Sequence, residues 1–418
     1  MLRQTRHFGA SSSRNGRGFS GSSGGRSSGR SSGFGGGFSR GGSRGGRGRF
    51  SQYIDPSKYI KKADFQEQAP YMAVNQFADF EIHDLIKRNI HEKGYVTPLP
   101  IQDQTIPHAL QGKDIVGIAN TGTGKTAAFV IPLLHKMLTD KNQKAIIVAP
   151  TRELAQQIEQ EVRTFAKGSG LSGALLIGGA SMQLQYRALR NNPNIIIGTP
   201  GRIKDHVQRN SIKLATFQNI VLDEVDRMLD MGFIDDITEL LNQLSPERQS
   251  LFFTATLDEK IRVLVQRFSK NPLIISVKTG ETSSNVNQDV IRYMSEGDKM
   301  EKLHDALSHV DAHKIIIFDE TQRSVEKLKL TLEERGFKVD AIHGGKSQGQ
   351  RQRALVRFKK NEVKVLVATD VAARGLDITD ITHVINFTQP QSYDDYIHRI
   401  GRAGRAGRVG YAFTFIRG

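Results

Sequence analysis

Three short segments, far apart in the chain, hold the residue types that phosphate chemistry uses. Ala119-Asn-Thr-Gly-Thr-Gly-Lys-Thr126 joins small residues to a lysine and a threonine, Asp223-Glu-Val-Asp226 groups three carboxylates, and His398-Arg-Ile-Gly-Arg-Ala-Gly-Arg405 repeats arginine every third residue. The first can cradle phosphates, the second can hold magnesium and activate water, and the third can meet a developing negative charge. Those are the parts that phosphoryl transfer needs.

Each segment has a plainer reading when taken alone. Ala119–Thr126 follows an apolar run and precedes a helical pattern, which is the order a Walker A phosphate loop requires. In that reading the backbone at Thr121, Gly122, Thr123 and Gly124 approaches the phosphates, Lys125 reaches the β and γ groups, and the Thr126 hydroxyl ligates magnesium. A fortuitous glycine turn is the alternative, and Ala119 stands where such loops commonly carry glycine. Asp223–Asp226 ends an apolar run, so Asp223 can hold the metal and Glu224 can deprotonate water. By itself it also fits a solvated acidic turn, and the arginine segment also fits a generic basic patch.

These residues need a scaffold that brings them together. From about residue 63 to 275, β-branched runs (Asp114–Ala119, Ala145–Ala149, Asn194–Gly198, Asn219–Asp223, Ser250–Thr254) alternate with helical patterns such as Glu153–Phe165. A polar stretch near Lys278–Gln288 interrupts them, and alternation resumes with Lys314–Phe318, Lys338–Ile342, Val363–Thr369 and His383–Phe387. Unbroken apolar strands between crossover helices predict two doubly wound parallel-sheet α/β domains. The expected divisions are a tail over 1–62, a first domain over 63–276, a linker over 277–289 and a second domain over 290–418.

The 418 residues, 38% hydrophobic, are enough for two cored domains plus an extension. The chain has no cysteine, which excludes disulfides, thiolate metal sites and thiol catalysis, and suits a reducing compartment. The longest apolar run, Ala127–Leu134, is far short of the ~18 residues of a membrane span, so a soluble, cytoplasmic protein is expected. The net charge of +16 points to a polyanionic partner. Residues 1–50 contribute ten arginines and no acid, leaving +6 for the rest. Glycine, serine and arginine with scattered Phe8, Phe19, Phe34, Phe38 and Phe50 cannot build a core, and disorder is expected. Guanidinium charge with stacking rings reads as an RGG-type RNA-binding arm. A flexible spacer and an organellar transit peptide are the other readings, and the glycine content opposes the amphipathic helix of the latter.

Over residues 77–415 the motifs, taken in order, resemble those of the DEAD-box ATP-dependent RNA helicases. Phe77 with Gly94-Tyr-Val-Thr-Pro-Leu-Pro-Ile-Gln102 resembles the Q motif, followed by Ala119–Thr126, Pro150-Thr-Arg-Glu-Leu-Ala155, Gly178-Gly179, Thr199-Pro-Gly-Arg202, Asp223–Asp226 and Thr254-Ala-Thr256. The second half shows Ile315–Phe318, His343-Gly344, Gln348 with Arg351, Ala368–Asp377 and His398–Arg405.

The resemblance implies two tandem RecA-like domains, ATP and Mg2+ as cofactors, and RNA held sequence-independently through its backbone. It implies that Gln102 reads adenine beside Phe77 and Tyr95, that Gly375 and Asp377 bind the nucleotide, with Asp377 at the ribose, and that Arg402 and Arg405 meet the γ-phosphate. Pro150, Thr151, Arg152, Gly178, Gly179, Thr199, Pro200, Gly201, Arg202, Gln348, Arg351 and Thr369 would line the RNA path. Three departures stand out: Val225 replaces alanine, Thr254 replaces serine, and Leu99 replaces a small polar residue. With Asp223, Glu224 and Asp226 present, ATPase activity is expected to survive the first. The implied function is RNA-stimulated ATP hydrolysis that opens short duplexes or remodels RNA–protein complexes, by a monomer and without a membrane. An ATP-gated RNA clamp or annealing chaperone is the nearest alternative, and a non-enzymatic RNA scaffold or a DNA helicase are further ones.

Overall fold

A computed structural model describes residues 54–64, 71–120, 122–277, 285–308, 312–373, 378, 380–404 and 408–418. The tail before residue 54, with its expected disorder, and the site candidates Thr121, Gly375, Asp377 and Arg405 lie outside them.

Among the described residues the first sheet has strands β1 (Ile115–Ala119), β2 (Ala145–Val148), β3 (Gly173–Leu176), β4 (Ile195–Gly198), β5 (Asn219–Asp223), β6 (Gln249–Thr254) and β7 (Leu273–Val277). Their order is β3-β4-β2-β5-β6-β1-β7, and every pairing is parallel. The second sheet has β8 (Val286–Tyr293), β9 (Ile315–Phe318), β10 (Val339–Ile342), β11 (Val365–Ala368), β12 (His383–Asn386) and β13 (Gly410–Arg417), ordered β10-β11-β9-β12-β13-β8 and again parallel throughout.

Central strands such as Ile195-Ile-Ile-Gly198 and Ile315-Ile-Ile-Phe318 are buried on both faces, because crossover helices cover each side of a parallel sheet. Each sheet therefore carries two apolar clusters. Phe129, Ile147 and Phe253 mark one face of the first, and Val148, Leu222 and Phe252 the other. In such sheets ligands bind beyond the carboxyl ends of the strands. The phosphate loop follows β1, the Pro150–Arg152 segment β2, the Gly178–Gly179 pair β3, the Thr199–Arg202 segment β4, and the acidic motif closes β5.

The expected divisions are corrected in two places. Residues 54–62, grouped with the tail, form a short 3-10 helix (Pro56–Tyr59) and an antiparallel bridge from Lys61 to Gln288 of the second sheet. One buried tyrosine and the open edge of β8 are enough to order a segment whose composition is polar. The expected linker over 277–289 includes the start of β8. As an edge strand, β8 alternates Asn287 and Asp289 with buried neighbours, and so reads as a polar break. No helix among the described residues is long and apolar enough to cross a membrane.

Candidate nucleotide and RNA site

Gly124 has φ of 86°, which a glycine tolerates, and ends the loop where the helix Lys125–Thr139 begins. Unpaired N–H groups at this helix start, together with the macrodipole, make an anion cradle. Thr123 Oγ1 tightens the loop by donating to Asn120 O at 2.8 Å. Lys125 is buried, its Nζ donating to Ala119 O at 3.0 Å, and Thr126 is half-buried beside it.

Asp223 and Glu224 lie opposite this loop, both nearly fully buried. Glu224 adopts a left-handed backbone (φ 55°, ψ 57°), which for a non-glycine residue is strain of the kind found at functional sites. Its Oε2 pairs with Arg227 Nη1 at 2.6 Å. Burial pushes Glu224 towards protonation, but the charges of Arg227, Lys125 and Arg402 outweigh burial and hold it below the ordinary carboxylate range. Burial dominates at Asp223 and lifts it to about 7 against the pull of Lys125. Arg402 belongs to the second domain, so its charge reaches Glu224 across the cleft. Val225 points into the apolar cluster of Leu222, Met228 and Phe252 and is fully buried. Its bulk is taken up by the core rather than by the space around the carboxylates.

A magnesium ion fits this donor set. A carboxyl raised chiefly by burial, and further by the charges of Glu224 and Asp226, is a group that a cation would compensate, and Asp223 with the Thr126 hydroxyl offers hard oxygen ligands. No cluster of three or more His, Cys, Asp or Glu residues suited to a metal exists among the described residues. Magnesium keeps several waters and takes one or two carboxylates plus substrate phosphates, so one buried carboxylate with a hydroxyl suits it.

Gln102, expected to read adenine, is buried and turned to the phosphate loop. Its Oε1 accepts from Leu99 N at 2.9 Å and its Nε2 donates to Gly124 O at 3.0 Å. One amide hydrogen and one lone pair remain for a base. Leu99 cannot cap the helix Pro100–Leu110 with its own side chain, and Gln102 supplies the reciprocal half of a capping box instead. Phe77 is buried against Phe80 and stacked on Tyr95 with centroids 6.0 Å apart. Asp103 fixes this segment by accepting from Tyr71 Oη, Val74 N and Asn75 Nδ2, all within 2.8 Å. Sequence reasoning passed over Asp103, although it follows Gln102 directly.

The expected RNA segments fall at one edge of the first sheet. Thr151 caps the helix Arg152–Phe165 through Leu154 N, and Arg152 lies along the glycine pair. A side chain at Gly179, where φ is 76°, would come within 2.5 Å of Arg152 Nη1. Pro200 opens the helix Pro200–Gln208 after Thr199, exposed Gly201 follows, and Arg202 Nη1 donates to Ala180 O at 3.4 Å. Thr369 follows β11 and precedes Asp370, whose carboxylate takes Arg399 in a two-point fork at 2.6 Å. Gln348 and Arg351 meet the first domain on the helix that Arg152 begins. Gln348 Nε2 donates to Gln156 Oε1 at 3.0 Å, and Arg351 Nη2 lies 2.8 Å from Glu153 Oε2. Asp370 and Glu153 were absent from the expected site because their partners are set by the fold, whereas Arg227 was passed over although Glu224 stands only three residues before it.

The family model for the DEAD/DEAH box helicase matches residues 99–264, and that for the helicase conserved C-terminal domain matches 298–407. The chain is 42% identical over 345 residues to the ATP-dependent RNA helicase CshA of Listeria monocytogenes, covering 82% of this chain and 66% of the relative. It is 44% identical to the DEAD-box ATP-dependent RNA helicase CshA of Bacillus subtilis, covering 81% and 69%. It thus spans about two thirds of the length of these curated relatives. Among solved structures it resembles S. cerevisiae Dbp5 bound to RNA and ADP BeF3, with 28% identity, a TM-score of 0.72 and coverage of 82% and 89%. It also resembles Mss116p bound to ssRNA and AMP-PNP, with 31% identity, a TM-score of 0.73 and coverage of 82% and 75%. The two parallel sheets are therefore RecA-like, and the chain belongs to the DEAD-box ATP-dependent RNA helicases.

Proposed function

We propose that this chain hydrolyses ATP when RNA is bound, and uses closure of its two domains to separate short duplexes and remodel RNA or RNA–protein complexes. The observation that carries the reading is the charge of Arg402 acting on Glu224 from the second domain. An active site completed by an arginine from across a cleft is complete only when the cleft is closed, which couples hydrolysis to whatever favours closure.

Lys125 and the helix start at Gly124 bind the β and γ phosphates, and Gln102 with Phe77 and Tyr95 borders the base. Thr126 and Asp223 would hold magnesium, which supplies charge neutralisation at the phosphates when bound. Glu224, kept ionised by three cations, accepts the proton of the attacking water. Arg402, with Arg405 implied by its place in the motif, offsets the charge that builds on the transferred group. RNA lies along the Arg152, Gly178–Gly179 and Thr199–Arg202 edge, where small residues and hydroxyls suit phosphate and sugar contacts rather than base reading. Opening costs roughly 0.6–2.2 kcal/mol per stacking step, so binding energy suffices for a few pairs and long duplexes resist. The basic tail adds non-specific RNA affinity. The absence of cysteine supports a cytoplasmic setting, and we read the active species as a monomer.

Steady-state hydrolysis by wild type and Glu224→Gln, without nucleic acid, with single-stranded RNA and with DNA of the same sequence, tests this. Stimulation by RNA alone, lost in the variant, is the expected result. Slow turnover that neither RNA nor the substitution changes would rule the reading out.

A further inference from the structure

Residues 54–64 precede the first domain in sequence but pack on the second. Asp55 starts the turn by accepting from Ser57 N at 2.8 Å, and Pro56 stands at the first position of the helix Pro56–Tyr59. Tyr59 is 1% exposed, with its ring edge-on to Tyr396 at 4.7 Å. Ile54 packs against the same cluster, and Lys58 Nζ lies 5.6 Å over the Tyr393 ring. Beyond this turn Lys61 exchanges two backbone hydrogen bonds with Gln288 of β8, at 3.0 and 2.8 Å, and Ala63 N donates to Asn287 Oδ1. The chain then reaches Asp103 of the first domain through Tyr71, Val74 and Asn75.

The helix under this strap is the arginine helix. Tyr393–Ile400 carries Tyr396 and Arg399 and runs directly into Arg402. Tyr396 donates to Gln288 Oε1 at 2.9 Å, so the residue that receives the strap also ties down the helix. Arg399 anchors the other side through Asp370, Asn386 and the Thr388 carbonyl. Burial raises Tyr59 to about 12, and the charge of Arg399 opposes the shift.

We propose that Tyr59 is a positioning residue for the arginine motif: wedged against Tyr396, it holds the helix that presents Arg402 to the nucleotide cleft. The strap also makes a covalent crossing between the domains in addition to residues 278–284. A segment that only covered the free edge of β8 would use Lys61 and Ala63 and would not need a fully buried aromatic beneath the arginine helix. The proposal rests on the reading of Arg402 as a group that completes the ATP site.

The test uses the full chain, with RNA-stimulated hydrolysis and thermal unfolding measured for Y59A, Y59L, Y59F and R402A. Leucine keeps most of the buried volume and removes the ring edge, so Y59L remains informative if Y59A fails to fold. Expected for Y59L is a kcat lower by about tenfold with the KM for ATP nearly unchanged, the scale on which small misplacements cost rate, and Y59F close to wild type. Wild-type kcat in folded Y59L, with or without a lower Tm, would overturn the proposal and leave the strap as edge cover. If R402A also turned over normally, the arginine reading itself would fall, and a normal R402A is separable from a normal Y59L alone.

Discussion

Arg351 and Glu153 meet across the domain cleft, Nη2 to Oε2 at 2.8 Å, with both side chains almost fully buried. The arginine comes from the helix Gln348–Lys359 of the second domain and the glutamate from the helix Arg152–Phe165 of the first, beside the Arg152 that lies along the glycine pair. Gln348 Nε2 reaches the same carboxylate at 3.3 Å. The fit is incomplete, since Glu153 Oε2 and Arg351 Nε find no aligned hydrogen-bond partner among the described residues. A buried pair of this kind is weak as a source of stability, because desolvation offsets most of the attraction. It is strong as a condition, because opening the cleft lets both charges hydrate while closing it requires both to be present.

Arg351→Ala leaves Glu153 without its cationic partner, and with Gln348 alone beside it, only in the closed form. RNA affinity with a non-hydrolysable ATP analogue present should drop by roughly 10–100-fold, within the usual range of coupling energies, while affinity without nucleotide changes little. Replacing both residues by methionine should restore part of the loss. Equal losses with and without nucleotide would mean that Arg351 binds RNA directly and is not a latch.

Val225→Ala separates two readings of the one unusual residue in the acidic motif. The Val225 side chain is fully buried among Leu222, Met228 and Phe252, so trimming it leaves a small cavity. A loss of about 1–2 kcal/mol in urea denaturation is expected, from methyl groups removed at a site that relaxes only partly. RNA-stimulated kcat should stay within about twofold, since the carboxylates keep their own partners. A several-fold rise in kcat would show that the valine crowds the metal side after all.

Asp226 is bound to the segment that follows β6. Its Oδ2 accepts from Ala255 N at 2.9 Å and Thr256 N at 3.1 Å, and Thr254 Oγ1 closes the same turn by donating to Thr256 O at 2.7 Å. The carboxylate therefore ties the end of β6 to the acidic motif. Asp226→Ala removes charge-assisted bonds of about 1.5–3 kcal/mol each and frees that turn. Duplex separation should fall more than tenfold while most ATP hydrolysis remains, as checked by parallel unwinding and phosphate-release assays. A common factor of loss in both assays would place Asp226 in the hydrolytic step.

What the sequence made legible follows from how local each determinant is. Ile195-Ile-Ile-Gly198 and Asn219–Asp223 read as buried strands because β-branched runs between helical patterns have few other uses. β3, β7, β8 and β13 escaped because each is partly exposed along its length, and the signal for burial on both faces is weak there. The phosphate loop and acidic motif were readable because their atoms must lie within a few residues of one another. Arg351 with Glu153, Tyr59 with Tyr396, and Gln102 with Gly124 were not, since each pairing depends on strand order. The inward turn of Val225 was hidden for another reason: Glu224 takes a left-handed backbone that its residue type does not announce.

Lys136 offers a pH-dependent test of the first domain. Its Nζ donates to Gln249 Oε1 on β6, and burial lowers it from 10.5 to about 8, with Asp114 opposing the shift. Between about pH 8 and 10.5 the unfolded chain therefore binds more protons at this residue than the folded one does, and stability from this group rises with pH across that window. Below pH 8 the folded protein carries a desolvated ammonium and bears the full cost. Lys136→Met removes the charge at similar volume and should stabilise the protein at pH 7.5, by at most about 3 kcal/mol and less by whatever Gln249 loses as a partner. The advantage should shrink on moving to pH 9.8, where the wild-type lysine is neutral in the fold, while every other titrating group contributes equally to both proteins. Urea denaturation of the two proteins at both pH values measures the difference directly, and a gap that does not change with pH would mean that Lys136 keeps its ordinary ionisation in the folded state.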